Sequence, residues 1–115
     1  MINNNALLTL DVNLQLDIQK ETIIKNGLQL SLSRIQFKLL FYLVCNKKVP
    51  ISSEELIQYA WGKNDYITKD ELYVYICRLR KRIEDDFKNP KLLLSIRRVG
   101  YMYYPPQFVE LNSKI

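Results

Sequence analysis

Histidine is absent from this chain, and cysteine, glycine and proline are scarce: two, three and four residues among 115. Without histidine the commonest general base and the usual switch near neutral pH are missing. A serine or cysteine nucleophile would lack its usual partner. Two cysteines make neither a secreted disulfide framework nor a zinc site, which needs four regularly spaced ligands. Cys45 reads as a small buried apolar residue and Cys77 as an incidental thiol. No glycine-rich phosphate loop is present. The expectation is a protein without metal, cofactor or enzymatic activity.

The scarcity of glycine and proline also argues against disorder and collagen-like repeats. The longest clean apolar run, residues 39–45, falls far short of the roughly 20 residues that span a bilayer. The opening Met-Ile-Asn-Asn-Asn has neither the basic nor the apolar region of a signal peptide. A cytoplasmic address and no membrane contact are expected.

What is present is a chain 48% hydrophobic and 25% charged, suited to one domain over residues 1–115. Its first part has the period of strands. Leu14, Leu16 and Ile18 alternate with polar residues, as do Leu28, Leu30 and Leu32. Thr22, Ile23 and Ile24 form a β-rich run between them. Asn26-Gly27 joins these runs, and both residues accept the positive φ of a tight hairpin turn. With residues 7–10, a four-stranded antiparallel sheet over about 7–32 is predicted.

The period changes at Ser33. Ile35, Phe37, Leu39, Leu40, Leu43 and Val44 fit a wide apolar helical face. Ser33 followed by Gln36 is a capping box, as are Ser52 with Glu55 and Thr68 with Glu71. Leu56, Ile57, Ala60 and Trp61 form the face of a short second helix ending at Gly62. Leu72, Ile76, Leu79 and Ile83 form the stripe of a third, over about 68–85. Three helices thus occupy about 33–91. A β-hairpin is predicted over about 92–104, with Gly100 permitting the tight turn, and residues 105–115 form a tail. Sheet, three helices and hairpin together describe an α+β winged helix-turn-helix.

Charge points to the partner. The net charge is +5, and residues 69–98 hold nine cations against five anions. Four of those cations lie in Arg78-Leu79-Arg80-Lys81-Arg82, where only Leu79 should face inward. Opposite the apolar stripe stand Val74 and Lys81, flanked by Cys77 and Arg78, with Tyr73 and Arg80 at the border. Arginine can fork onto guanine, small apolar groups meet thymine methyls, and cations neutralise phosphates. Arg97 and Arg98 add a second basic feature at the hairpin tip, suited to the negative potential of a minor groove.

Several linked motifs carry a resemblance. They are Lys25-Asn26-Gly27, Leu32-Ser33 with Phe37, Leu39 and Leu40, and Ile51-Ser52 through Ile57 to Trp61-Gly62. The set continues with Val74, Ile76, Arg78-Leu79-Arg80-Lys81 and Ile83, and ends with Ile96-Arg97 and Val99-Gly100-Tyr101. In these the chain resembles the DNA-binding domain of OmpR/PhoB response regulators, a winged-helix class of bacterial transcription factors. The resemblance implies that the third helix enters the major groove of double-stranded DNA. It implies that Tyr73, Val74, Cys77 and Arg78 face bases or nearby phosphates, and that Arg80 contacts a phosphate. It implies Arg97 in the minor groove, Trp61 and Tyr101 near the backbone, and a loop from Lys63 to Ile67 able to touch RNA polymerase.

The chain departs from that pattern in places. Asp70-Glu71 stands where the family often has Arg-Thr, Cys77 where it is often basic, and Arg98 where the wing often has glycine. No receiver domain is present in the 115 residues. A stand-alone domain is expected, monomeric in solution and tandem on DNA. An alternative function is a protein-interaction module that docks on RNA polymerase or another regulator.

Overall fold

The computed structural model describes residues 6–63 and 66–107. The chain begins with four antiparallel strands, β1 (Leu7–Asp11), β2 (Leu14–Asp17), β3 (Thr22–Lys25) and β4 (Leu28–Ser31), paired in sequence order. Helix α1 (Arg34–Cys45) follows, then a two-residue strand β5 (Ile51–Ser52), α2 (Ser53–Trp61) and α3 (Lys69–Ile83). Strands β6 (Leu93–Ile96) and β7 (Gly100–Tyr103) close the fold as the wing. The predicted sheet, three helices and terminal hairpin are all present.

Local chemistry accounts for most of these elements. Lys25 pairs with Leu28 across a two-residue turn in which Asn26 has φ 51° and Gly27 φ 81°. The left-handed turn matches the twist of the strands it joins. Ser33 and Gln36 form a complete capping box on α1, as do Thr68 and Glu71 on α3. Ser52 caps α2 through the Glu55 amide, but the Glu55 carboxylate does not reach back. It accepts a hydrogen bond from the Tyr42 hydroxyl instead. That box is half formed because a neighbouring helix competes for the carboxylate.

The core lies where the helices meet the sheet and the wing. Leu72, Ile76, Leu79 and Ile83 of α3 are buried, as are Leu39, Leu40 and Leu43 of α1 and Leu10, Leu14, Leu16 and Ile23 of the sheet. Each such side chain contributes roughly 1.5–3 kcal/mol on burial. Phe37 is buried and stacks on Phe41 at 5.5 Å between ring centroids. The alternation expected of β4 weakens at its start, where Leu28 is exposed beside the turn. Cys45 is not the buried residue expected from sequence but an exposed thiol. It ends α1 on the side away from Leu39, Leu40 and Leu43.

The wing is a three-stranded sheet in the order β5–β7–β6. Strand β5 joins it through Ile51 opposite Tyr101 and Ser52 opposite Gly100. The wing is also moored to the first sheet, because the Tyr103 hydroxyl donates to the Leu10 carbonyl at 2.9 Å. At the wing turn the positive φ belongs to Arg98, at 67°, and not to Gly100. Gly100 is demanded by close approach: a Cβ there would lie 2.2 Å from the Ile51 carbonyl oxygen.

Candidate nucleic-acid interface

The exposed face of α3 follows from the buried one. With the leucine and isoleucine stripe turned inward, the intervening positions face out. Tyr73 is 50% exposed and Val74 45%. Arg78 and Lys81 are exposed, and Cys77 is half-buried. The helix carries Asp70 and Glu71 in its first turn and Arg80, Lys81 and Arg82 in its last. Both ends therefore complement its dipole.

Aromatic rings hold several of these groups. The Arg78 guanidinium lies 5.4 Å from the centroid of Tyr75, and the Lys81 ammonium 5.5 Å from that of Phe87. Such cation–π contacts orient a cation without consuming its hydrogen-bond donors. Trp61 packs edge-on against Tyr75 at 5.0 Å, half-buried. The first role of the indole is thus packing beneath Tyr75. A hydrogen bond between the Tyr73 hydroxyl and Cys77, one turn on, is the main cause that raises the Tyr73 pKa. Tyr73, Cys77 and Lys81 line one hollow together with Phe87, Lys88 and Pro90. Phe87 and Lys88 lie in an irregular segment, and no periodicity marks them in the sequence.

Arg97 and Arg98 are exposed on the wing turn, beside exposed Val99. Arg98 shares a second hollow with Lys69 at the start of α3, along with Ser53, Ser95 and Gly100. The helix and the wing therefore border one continuous surface. Lys69 pairs with Glu54 at 2.9 Å, and this bond holds the Glu54 carboxyl below its usual pKa. Asp70 and Glu71 are exposed at the same end.

Arg80 and Tyr101 are placed otherwise than their sequence suggested. Arg80 is only 6% exposed, so Leu79 is not alone in facing inward from the basic run. Its Nε and Nη2 donate to the Leu93 carbonyl at 3.0 and 2.9 Å, and Nη2 also donates to Ser95 Oγ at 3.0 Å. Its position at the border of the helical face lets the long side chain turn towards the wing. Tyr101 is buried beneath it, with the Arg80 guanidinium carbon 5.9 Å from the ring centroid. Burial pushes the Tyr101 hydroxyl pKa up. The structure thus gathers Tyr73, Val74, Cys77, Arg78 and Lys81 on one helical face, with Arg97 and Arg98 on the adjoining wing. It sets Trp61, Arg80 and Tyr101 behind them as support. Of the 63–67 loop, Asn64 and Asp65 lie outside the described residues.

Among the described residues no cluster of histidine, cysteine or carboxylate side chains could hold a metal ion. No described helix is long and apolar enough to cross a membrane.

A helix-turn-helix pair whose third helix is buttressed by a three-stranded wing defines the winged-helix class. Residues 27–103 match the family described as "Transcriptional regulatory protein, C terminal". The chain belongs to this family, the OmpR/PhoB-type effector domains. Among similar proteins is the probable transcriptional regulator ycf27 of Cyanophora paradoxa, 34% identical over 92 residues, which covers 78% of this chain and 38% of that protein. The DNA-binding response regulator MtrA of Mycobacterium tuberculosis is 30% identical over 94 residues, covering 82% of this chain and 41% of MtrA. The chain thus spans about two fifths of the length of these relatives.

Solved structures share the fold. The response regulator DrrB, a Thermotoga maritima OmpR/PhoB homologue, superposes with a TM-score of 0.77 at 28% identity, over 86% of this chain and 44% of DrrB. The Klebsiella pneumoniae RstA DNA-binding domain, solved in complex with the RstA box, gives 0.75 at 22% identity, over 87% of this chain and 98% of that domain.

Proposed function

We propose that this chain is the sequence-specific, duplex-DNA-binding part of a cytoplasmic transcription regulator, without catalytic activity. Helix α3 enters the major groove, and the wing arginines reach the adjoining minor groove. The observation that carries this reading is the joint exposure of Tyr73, Val74, Arg78 and Lys81 on α3, with half-buried Cys77 among them, and of Arg97 and Arg98 on the wing. Arg78 reads a base edge, while Lys81 and the wing cations neutralise phosphates or enter the narrow groove. The printed descriptions of MtrA as DNA-binding and of RstA in complex with its box support the same partner. Asp70, where a cation would meet phosphate, disfavours that contact and suits acceptance from cytosine N4.

The chain acts as a monomer in solution and pairs in tandem on DNA. Selection of bound sequences from a random duplex pool at moderate salt tests the reading. Enrichment of a direct repeat, with half-sites about one helical turn apart, is the expected result. A dimer at micromolar concentration without DNA would count against the tandem monomers. A second reading, docking on RNA polymerase through residues 63–67, rests on Tyr66, which is 98% exposed. Bulk, salt-sensitive binding with no enriched sequence would favour it.

A further inference from the structure

Glu84 directly follows α3, where helix, wing and first sheet converge. It is only 6% exposed. A buried carboxylate persists only when its oxygens are satisfied. This one accepts from three successive backbone amides: Lys91 at 2.8 Å, Leu92 at 3.0 and 3.2 Å, and Leu93 at 2.8 Å. The Glu84 amide donates to the Arg80 carbonyl at 2.9 Å, and the Glu84 carbonyl accepts from Lys25 Nζ at 3.0 Å. The residue thus joins β3, α3 and β6.

One turn earlier, Arg80 grips the same strand with the opposite polarity. Its guanidinium donates to the Leu93 carbonyl, whereas the Glu84 carboxylate accepts from the Leu93 amide. Strand β6 is the edge of the wing sheet. An edge strand presents N–H and C=O groups that no neighbouring strand pairs. Here two side chains of the helix end, four residues apart, take the place of that strand. Beyond Ile96, β6 runs straight into the turn that bears Arg97 and Arg98.

We infer that Glu84, acting with Arg80, is the positioning residue that sets the reach of the wing relative to α3. The inference rests on the duplex-binding reading above. Neither side chain needs to touch DNA. Their effect is a fixed offset between the major-groove and minor-groove contacts, so that Arg97 is delivered without the cost of ordering the hairpin on binding.

A double-mutant cycle in the full chain tests this. The variants are Glu84→Gln, which keeps the shape but turns an amide donor towards backbone donors, Arg97→Ala, and the pair. Affinity is measured on a duplex carrying the enriched sequence, or on a mixed-sequence duplex where none is enriched. Arg97→Ala should weaken the otherwise unaltered chain about tenfold. It should weaken the Glu84→Gln chain less than about twofold, because a misplaced wing has lost that contact already. Equal losses in both backgrounds would overturn the positioning role and leave Glu84 a stabilising residue only.

Hydrogen exchange on the unaltered chain keeps the proposal open to refutation if Glu84→Gln does not fold. The Leu92 and Leu93 amides should exchange as slowly as the Leu79 amide in the core of α3. Exchange as fast as the Arg98 amide on the wing turn would overturn the clamp. Absence of binding by the unaltered chain to either duplex would overturn the duplex-binding reading itself, with slow exchange at Leu92 and Leu93 marking that distinct failure.

Discussion

Gly100 lies directly against the backbone of Ile51. A Cβ on Gly100 would stand 2.2 Å from the Ile51 carbonyl oxygen, 2.7 Å from the Ser53 nitrogen and 2.9 Å from the Ser52 carbonyl carbon. All three are backbone atoms, so no side chain can rotate away. Gly100→Ala must push β5 from β7 and loosen the pairing of Ile51 with Tyr101. Overpacking of this kind costs about 1–3 kcal/mol, and more where the backbone cannot yield. Denaturant unfolding should place the variant at least about 2 kcal/mol below the parent chain. An unchanged midpoint would show that β5 can withdraw freely.

Arg98 raises the complementary issue. Its φ of 67° is left-handed, which costs a residue with a Cβ roughly 1–2 kcal/mol. Arg98→Gly and Arg98→Ala both remove the cation, but only glycine relieves the strain. Part of the relief is offset by the greater freedom of glycine in the unfolded chain. Arg98→Gly should therefore exceed Arg98→Ala in stability by about 0.5–1 kcal/mol. Both should reduce the salt dependence of duplex binding by about one phosphate contact. Equal stabilities would mean that the wing turn relaxes out of the left-handed region in Arg98→Ala.

Thr68 tests the entry to α3. Its hydroxyl accepts from the Glu71 amide at 3.1 Å, and the Glu71 carboxylate accepts from the Thr68 amide at 3.2 Å. Thr68→Ala removes one half of this box and should cost about 1 kcal/mol. Glu71→Ala should cost less, since Glu71 is exposed and water can solvate the freed amide. A larger loss for Glu71→Ala in thermal unfolding would give that carboxylate a further role.

These sites show what a sequence makes legible. The Leu72, Ile76, Leu79 and Ile83 stripe, the Asn26-Gly27 turn and the Ser33 and Thr68 boxes are local patterns. Each is encoded within a few residues, and each is present in the structure. The two residues of β5 carry no pattern of their own and become a strand only by pairing with β7 across about fifty positions. Glu55 resembled a capping partner because nothing local announces Tyr42 on the neighbouring helix. Gly100 was visible as a glycine, but whether it served a turn or a close approach depended on where β5 lay. The exposed candidates Val74, Arg78 and Lys81 follow from helical period alone. The inward turn of Arg80 does not, because a border position is decided by the acceptor that waits there.

Arg78 and Arg80 therefore separate sharply. From sequence, both arginines promise contact with DNA, one to bases and one to phosphate. The Arg78 guanidinium is exposed and lies over the Tyr75 ring of its own helix. Arg78→Ala should leave the unfolding midpoint nearly unchanged, cost about 1–3 kcal/mol in binding and relax base preference at one position. Arg80→Ala removes two donors from the Leu93 carbonyl and one from Ser95. Leaving a buried acceptor unpaired costs about 1–3 kcal/mol of stability. Its loss of affinity should be even across sequences and should come with a lowered unfolding midpoint. A full-stability Arg80→Ala protein with a selective binding defect would place its guanidinium on the DNA instead of in the clamp. Sequence-blind losses from Arg78→Ala would likewise remove that residue from base reading.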